Sequence, residues 1–206
     1  EGEARSLRVD GGHHPDLGVD YYEDLFRSIK ERSPIHLHVL SPPEIQHIAR
    51  RSKLTIPQTL TRLRDAGLDS IPGGGAEILV DRVRDVIAPK KTRTAEWLHV
   101  MREAHRLGIS TTATMMYGHV EEVEDRVEHM RRIRELQDEL QGFRAFISWT
   151  FQSDGNRLAA KVPADGASPW RQISPSPSVC SRSWGSGYPS ASRSSCWRWR
   201  SWTTSA

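Results

Sequence analysis

Several absences limit what this 206-residue chain can be. Cysteine is missing from residues 1–165, and the two that occur, Cys180 and Cys196, lie near the C-terminus. A body without cysteine argues against a disulfide-stapled secreted domain and favours a cytoplasmic enzyme. No apolar run is long enough to span a bilayer, and the first residues, Glu-Gly-Glu-Ala-Arg, do not resemble a signal peptide. We therefore expect no membrane partner.

Acidic residues are missing from the C-terminal part of the chain. From Gly166 onward there is no Asp or Glu, but there are five arginines. Removing these arginines from the net charge of +3 leaves residues 1–165 at about −2. A mildly acidic body argues against nucleic acid as the natural partner.

Regular hydrophobic periodicity is missing from the same C-terminal part. We therefore divide the chain into a body, residues 1–152, and an irregular tail rich in Ser, Arg and Trp, residues 153–206. The tail holds five of the seven tryptophans, which is unusual for a disordered linker. Our hypothesis is a frameshift near residues 153–168, because GC-rich coding sequence yields this composition in a wrong frame. The alternative is an Arg/Trp patch that binds single-stranded nucleic acid or a membrane surface.

The body alternates between strand patterns and helix patterns. Capping boxes begin two of the helices, at Ser41 and at Thr55. Strands are predicted at residues 6–9, 35–40, 69–71, 111–116 and 145–151, and the other helices at residues 21–32, 76–86, 94–107 and 120–140. A strand roughly every 35 residues is the repeat of a parallel β/α barrel. We predict an α/β fold, a partial TIM-type (β/α) barrel with too few strands to close.

Two strand-to-helix junctions have the features of a ligand site. In each, a short strand runs into glycine and a helix is predicted to begin with a carboxylate in its first turn. One junction contains Gly73-Gly74-Gly75 and Glu77, and the other contains Gly118 and Glu121. Glycine lets a ligand approach the backbone, and the amides at a helix start attract anionic or polar groups. Both junctions should lie at the same end of the barrel.

Two histidines are expected to face the barrel interior. His36 and His38 alternate with Leu37 and Val39 on one predicted strand, and the Leu/Val face should pack against helices. Buried polar side chains need partners, which favours a binding site for the histidines. A zinc-dependent barrel hydrolase is the alternative from another class, since His-X-His on a barrel strand can bind zinc. Its ligands belong at the end of the strand, however, and here Val39 and Leu40 follow.

Several segments together resemble one enzyme family, the radical S-adenosylmethionine (SAM) enzymes of the futalosine pathway of menaquinone biosynthesis. The resemblance covers about residues 5–152. Within this family, two runs favour the dehypoxanthine futalosine cyclases over the sister aminofutalosine synthases: Ser-Pro-Pro-Glu-Ile at residues 41–45 and Thr-Thr-Ala-Thr-Met-Met-Tyr-Gly-His at residues 111–119. The other similar segments are Gly-Gly-His-His-Pro-Asp-Leu at residues 11–17, His-Leu-His at residues 36–38 and Ile-Pro-Gly-Gly-Gly-Ala-Glu-Ile-Leu at residues 71–79.

The resemblance implies a radical SAM barrel, SAM and a [4Fe-4S] cluster as cofactors, an electron donor for the cluster, and a nucleoside-type substrate. In this family a radical derived from SAM abstracts a ribose hydrogen from dehypoxanthine futalosine, and the carbon radical attacks the aromatic ring. Loss of an electron and a proton then gives the cyclic product. The residues implied for SAM binding are Gly11, Gly12, Ser70, Glu77 and Gly118. Those implied for substrate binding are His14, His36, His38, Thr112, Thr114 and His119. No catalytic residue is assigned.

The chain departs from the family pattern at the cluster. The family holds its cluster with a CxxxCxxC loop after the first barrel strand, and this chain begins beyond that point. Cys180 and Cys196 are too far apart to replace the loop. We therefore expect an inactive fragment of a longer enzyme, with no metal ligands of its own.

Overall fold

The computed structural model describes residues 6–9, 12–152, 158 and 195–198. The strands are β1 (Ser6–Val9), β2 (His36–Val39), β3 (Ser70–Ile71), β4 (Ser110–Tyr117), β5 (Phe143–Thr150) and β6 (Ser195–Arg198). The helices are α1 (Val19–Arg32), α2 (Pro42–Ser52), α3 (Ile56–Asp65), α4 (Asp81–Ile87), α5 (Thr94–Arg106) and α6 (Val123–Leu140).

The sheet follows the order of the chain from β1 to β6. β1 to β5 are parallel neighbours, and helices fill each connection between them. Such a sheet of consecutive β/α units is a partial barrel, which confirms the predicted fold class. β6 pairs antiparallel with β5 through residues of the tail; the predicted irregularity of residues 153–157, 159–194 and 199–206 lies outside the described residues.

The helix starts at α2 and α3 form as their sequences predict. Ser41 N donates to Glu44 Oε2 at 2.7 Å, and Thr55 N donates to Gln58 Oε1 at 2.9 Å. In each capping box the side chain at the third helical position satisfies a backbone amide that the helix leaves unpaired. Prolines in the first turn cost nothing there, because their missing N–H would have no helical partner.

The hydrophobic core lies between the sheet and its helices. Leu37 and Val39 on β2 are buried in it, as the alternation on that strand predicts, and His36 and His38 take the other face. The largest fully buried apolar side chains include Ile45, Ile48, Leu60, Leu63, Ile71, Trp97 and Met101. Since the core seals the helix side of the sheet, polar residues of the strands are available for a site on the inner side.

Both helix starts at the glycine junctions differ from the prediction. α4 begins at Asp81 rather than at residue 76, and Glu77 has a left-handed φ of 47°. α6 begins at Val123 rather than at residue 120, so Glu121 precedes the helix. The predicted boundaries were wrong because the carboxylates near each glycine bind side chains and loop amides instead of a first helical turn.

The apolar side chains along α6 are only partly buried. Ile133 and Leu136 are 1% exposed, but Val123, Val127 and Met130 are 45–56% exposed. The C-terminal half of this helix therefore buries apolar residues, whereas the N-terminal half buries the polar residues Asp125, Arg126 and His129. An ion pair one turn apart joins two partly exposed residues of this helix, with Arg132 Nε 2.6 Å from Glu128 Oε1. In the described part of the chain, no helix is both long and apolar enough to cross a membrane.

Candidate functional site

The loops after the parallel strands emerge along one rim of the half-barrel, and backbone contacts connect them. In the loop after β1, Gly12 N donates to Glu44 Oε1 at 3.0 Å, at the start of α2. Near the end of β4, Met116 N donates to Glu77 O at 3.0 Å, and Gly118 follows two residues later. Three residues predicted to bind SAM thus lie on the same rim, as the carboxyl ends of parallel strands should.

The segment after β3, which we call the β3 junction (residues 72–80), is packed tightly against neighbouring loops. A Cβ atom at Gly73 would lie 2.4 Å from Thr112 O. Gly75 has a φ of 77°, and a Cβ there would lie 2.5 Å from Pro43 Cγ. Packing within the protein therefore requires these two glycines. Contact between the triplet and SAM stays a prediction.

The two threonines predicted to bind substrate both bond the β3 junction. Thr112 Oγ1 accepts from Gly73 N at 2.9 Å, and Thr114 Oγ1 donates to Gly73 O at 2.5 Å. Thr114 is 6% exposed. The structure thus gives each hydroxyl a structural partner, and a role in substrate binding stays a prediction.

Glu77 lies beside a pocket of about 360 Å³ at the rim. Its Oε1 is 2.6 Å from Lys91 Nζ, which belongs to the loop before α5. The Glu77 side chain is 11% exposed, whereas that of Lys91 is 50% exposed. The pocket is also lined by Ile87, Ala88, Met116, Trp149, Thr150, Phe151, Gln152 and Leu158. A carboxylate in the wall of a pocket, next to aromatic and apolar side chains, can bind the hydroxyls or the ammonium group of a nucleoside-like ligand.

Two predicted substrate-binding histidines meet at one hydroxyl. His36 Nε2 and His38 Nδ1 each lie 2.7 Å from Ser70 Oγ, on the neighbouring strand β3. A serine hydroxyl has one hydrogen to donate, so one ring nitrogen accepts it and the other donates to the oxygen. The group is partly buried on the inner side of the sheet. It can therefore hold polar groups of a ligand or pass a proton between the rings.

The segment after β4, which we call the β4 junction (residues 118–122), carries a buried carboxylate. Glu121 accepts from Gly118 N at 2.6 Å and from His119 N at 2.8 Å, and Arg126 Nη2 lies 2.6 Å away. Burial alone would raise the pKa of Glu121, but hydrogen bonds from His119 and Gly118 and the nearby charge of His119 lower it to about 2. Glu121 is an ionised anchor of this loop.

His119 points into the protein rather than into the pocket. Its Nδ1 lies 2.8 Å from Glu121 Oε2, and its Nε2 lies 3.1 Å from Met116 O. The side chain has no exposed surface. Both ring nitrogens thus have partners, one in the β4 junction and one on β4 itself, and a contact with substrate stays a prediction.

The remaining predicted site residues lie on the loop after β1. His14 is exposed, its Nδ1 accepts from Asp16 N at 3.2 Å, and its carbonyl lies 2.7 Å from His47 Nε2 on α2. Gly11 lies outside the described residues. The structure thus brings Gly12, Ser70, Glu77, His36 and His38 to the inner side and rim, and places His14 at the surface.

Sequence reasoning missed two buried residues that hold the β3 junction. Arg84 is 1% exposed, and His129 Nδ1 accepts from Leu79 N at 3.0 Å. Burial lowers the pKa of His129 to about 3, so this ring is neutral. Arg84 lies in a charged run that looks solvent-exposed in the sequence, and His129 lies on a helix face rich in charge. No local pattern marks either one.

The resemblance implies two cofactors, a [4Fe-4S] cluster and SAM, and the described residues do not fit both equally. Among them, no group of three His, Cys, Asp or Glu side chains could hold a metal ion, and no three cysteines are present for a [4Fe-4S] cluster. SAM fits better, because Glu77 offers a carboxylate at a pocket that Trp149 and Phe151 also line. Any step through the cluster therefore lies beyond the described residues.

The chain is similar to several known proteins. Residues 9–133 match the model of the radical SAM superfamily. The chain is 46% identical over 159 residues to cyclic dehypoxanthine futalosine synthase from Streptomyces coelicolor, covering 77% of this chain and 40% of that protein. It is also 46% identical over 157 residues to aminodeoxyfutalosine synthase from Thermus thermophilus, covering 76% of this chain and 42% of that protein.

A third group of relatives is about as similar. The chain is 44% identical over 165 residues to 5-amino-6-(D-ribitylamino)uracil–L-tyrosine 4-hydroxyphenyl transferase 1 from Methanosarcina barkeri, covering 80% of this chain and 44% of that protein. The chain thus spans less than half the length of each of these relatives. Identity alone does not choose among their three reactions.

Proposed function

The chain belongs to the radical SAM superfamily, and we propose that it is the SAM- and substrate-binding part of a cyclic dehypoxanthine futalosine synthase. The observation that carries the proposal is the position of Gly12, Glu77 and the His36–Ser70–His38 group on the rim and inner side of one half-barrel. The complete protein would be about twice as long, like its relatives. It would also need a one-electron donor for its cluster.

In this proposal, SAM binds along the rim. The backbone around Gly11 and Gly12 meets the amino group of its methionine moiety, and Glu77 binds its ribose hydroxyls after Lys91 moves aside. Ser70 and Gly118 complete the predicted set. SAM supplies the adenosyl group for radical chemistry, and the residues described here orient that group and exclude water from it.

The nucleoside substrate binds on the inner side of the sheet. His36 and His38 are partly buried and linked through Ser70, so their orientation is fixed before the substrate arrives. One of these rings can accept the proton that leaves when the aromatic ring of the substrate is attacked. Thr112 and Thr114 hold the adjacent strand β4. His119, just after that strand, and His14, on the loop after β1, are the remaining predicted contacts.

The second candidate is aminodeoxyfutalosine synthase, because its Thermus thermophilus relative has the same identity, 46%. The test is to assay the full-length protein that contains this segment, with reconstituted cluster and SAM, against three substrate sets. These are the substrate of each futalosine enzyme and the pair of 5-amino-6-(D-ribitylamino)uracil and L-tyrosine. We expect turnover of dehypoxanthine futalosine, detected by mass spectrometry. Exclusive turnover of another set would contradict the proposal.

The inner histidines provide a sharper test in the same full-length protein. We expect His38→Ala to leave SAM cleavage measurable while product formation falls about 100-fold, as loss of a general base does. His99→Ala is the matched control, since His99 is exposed on α5. Equal losses of SAM cleavage and product, or no loss of either, would count against a substrate role for His38.

A further inference from the structure

The backbone of the β3 junction is held by an unbroken series of hydrogen bonds to its carbonyl groups. All six carbonyls of residues 73–78 accept from protein donors. These donors are Thr114 Oγ1 to Gly73, Trp97 Nε1 to Gly74, Arg84 to Gly75, Ala76 and Ile78, and Met116 N to Glu77. Three consecutive glycines would otherwise leave this segment with high conformational entropy, so these bonds fix its shape.

Arg84 supplies half of these bonds from a buried position. Its Nη2 donates to Gly75 O at 3.0 Å, and its Nη1 donates to Ala76 O and, at 3.4 Å, to Ile78 O. Nη2 also donates to Thr92 O. Among the described residues, no carboxylate lies within ion-pair distance of this guanidinium, and its Nε has no partner. A cation that is 1% exposed and bound almost wholly to carbonyls is costly, which calls for an explanation.

The positions of its acceptors supply that explanation. Gly75, Ala76 and Ile78 flank Glu77, whereas Thr92 follows Lys91 directly. Arg84 thus joins the two segments that carry the Glu77–Lys91 ion pair. Glu77 also needs this support because its left-handed φ of 47° is unfavourable for a residue with a Cβ.

We propose that Arg84 is a positioning residue that presets the Glu77 carboxylate for SAM. Lys91 is half-exposed and can leave when a ligand arrives, but Arg84 is buried and keeps both the backbone geometry and a nearby positive charge. Its guanidinium, with five donors in a rigid fork, can reach four carbonyls; a lysine ammonium has three donors and cannot. The inference rests on the proposed function, in which Glu77 contacts SAM.

The first experiment tests, without SAM, whether Arg84 fixes the backbone of the β3 junction. Amide hydrogen exchange is followed in the 206-residue chain for Arg84→Met, Arg84→Lys and the control Arg82→Met. Arg82 lies on the same helix, but it is 57% exposed and pairs with Asp125 on α6 rather than with the β3 junction. We expect exchange in residues 74–79 to rise about tenfold in Arg84→Met, as loss of charge-assisted hydrogen bonds predicts, and to stay unchanged in Arg82→Met. Unchanged exchange in both Arg84 variants would overturn the proposal.

The second experiment measures SAM affinity by calorimetry in the full-length protein. We expect the Kd to rise about tenfold in Arg84→Met and by a smaller factor in Arg84→Lys, with partial recovery in Arg84→Met on adding guanidinium ion. If Arg84→Met does not fold, the Kd of Arg84→Lys decides. A Glu77→Gln variant separates the positioning role of Arg84 from the proposed contact between Glu77 and SAM. If Glu77→Gln weakens SAM binding but neither Arg84 variant does, Arg84 has no positioning role. If Glu77→Gln leaves the Kd unchanged, the proposed SAM contact itself is wrong.

Discussion

The two glycine junctions share a sequence pattern but use their carboxylates in opposite ways. In the β3 junction, Glu77 pairs with the half-exposed Lys91 beside a pocket. In the β4 junction, the Glu121 side chain has no exposed surface and pairs with Arg126, which is 10% exposed. The glycines differ as well, because Gly73 has no room for a Cβ whereas Gly118 has open space. The first junction places its carboxylate beside a pocket, and the second uses its carboxylate to hold the loop.

This contrast shows what the shared pattern can and cannot mean. A strand, a glycine and a nearby carboxylate predict a loop on the rim of a parallel sheet, and both loops are there. Whether the carboxylate is available depends on cations placed elsewhere in the chain. Arg126 lies five residues after Glu121 and reaches it directly, with Nε 2.8 Å from Oε1. Glu77 instead depends on a flexible lysine in the next loop.

The largest expected difference between the junctions is in stability. We expect Glu121→Gln to lower the free energy of unfolding by about 3 kcal/mol, since it leaves the buried Arg126 without its ion partner. Glu77→Gln should cost less than about 1 kcal/mol, because its partner Lys91 is half-exposed and water screens the pair. Urea unfolding of the three proteins measures both values. Similar losses in the two variants would abolish the distinction between the junctions.

The pH dependence of unfolding should show how much the ionised Glu121 stabilises the fold. The pKa of Glu121 is lowered to about 2 in the folded chain, so its stabilisation is complete above about pH 4.5 and is lost as the pH falls toward 2. Burial lowers the pKa of His105 to about 4 and that of His129 to about 3, so these rings cost stability as the pH falls below about 6.5. Wild type and Glu121→Gln should therefore lose stability in parallel from pH 6.5 to 4.5.

Below about pH 4.5 the two unfolding curves should converge, by at most about 1.4 kcal/mol per pH unit for one proton. Urea titrations at half-unit intervals of pH would show this. A constant difference down to pH 2.5 would mean that Glu121 is not held ionised by the β4 junction.

The losses of stability on replacing Gly73 and Gly118 with alanine should differ by a smaller amount. Gly73→Ala places a Cβ 2.4 Å from Thr112 O, and we expect a loss of about 2 kcal/mol from overpacking. Gly118→Ala meets no atom within 4 Å but keeps a φ of 88°, and should lose about 1 kcal/mol. Urea midpoints of the two variants give the comparison. A greater loss at Gly118 would show that backbone conformation, not packing, dominates at these loops.

Much of the fold could be predicted because it follows from local patterns. The alternation at His36, Leu37, His38 and Val39 gave the correct faces of β2, and the capping boxes gave the starts of α2 and α3. The start of α4 could not be predicted this way. Residues 76–80 have helix-compatible side chains, but the carbonyls near them are taken by Arg84 and Met116, so the chain stays irregular.

The site was only partly predictable for a related reason. His36 and His38 on one face could be predicted from strand geometry, but their meeting at Ser70 depends on the pairing of His38 with Ser70 across two strands. The buried state of His119 depends on Glu121 and on Met116 O. Such contacts join residues that are distant in sequence or depend on loop shape, and a single sequence carries no signal for either.

The smallest expected effect is the loss of stability on replacing Lys91, the half-exposed partner of Glu77. Lys91→Met removes the partner of Glu77 and should lower stability by less than about 1 kcal/mol, because Lys91 is half-exposed and water screens the pair. That small loss should shrink further at about 1 M salt, where the screening length is near 3 Å. Arg126→Met breaks the buried pair in the β4 junction, and its larger loss should change little with salt. Urea unfolding of both variants at low and high salt measures the contrast. A salt-independent loss in Lys91→Met would mean that Glu77 is as enclosed as Glu121, and then the β3 junction would have no carboxylate to offer a ligand.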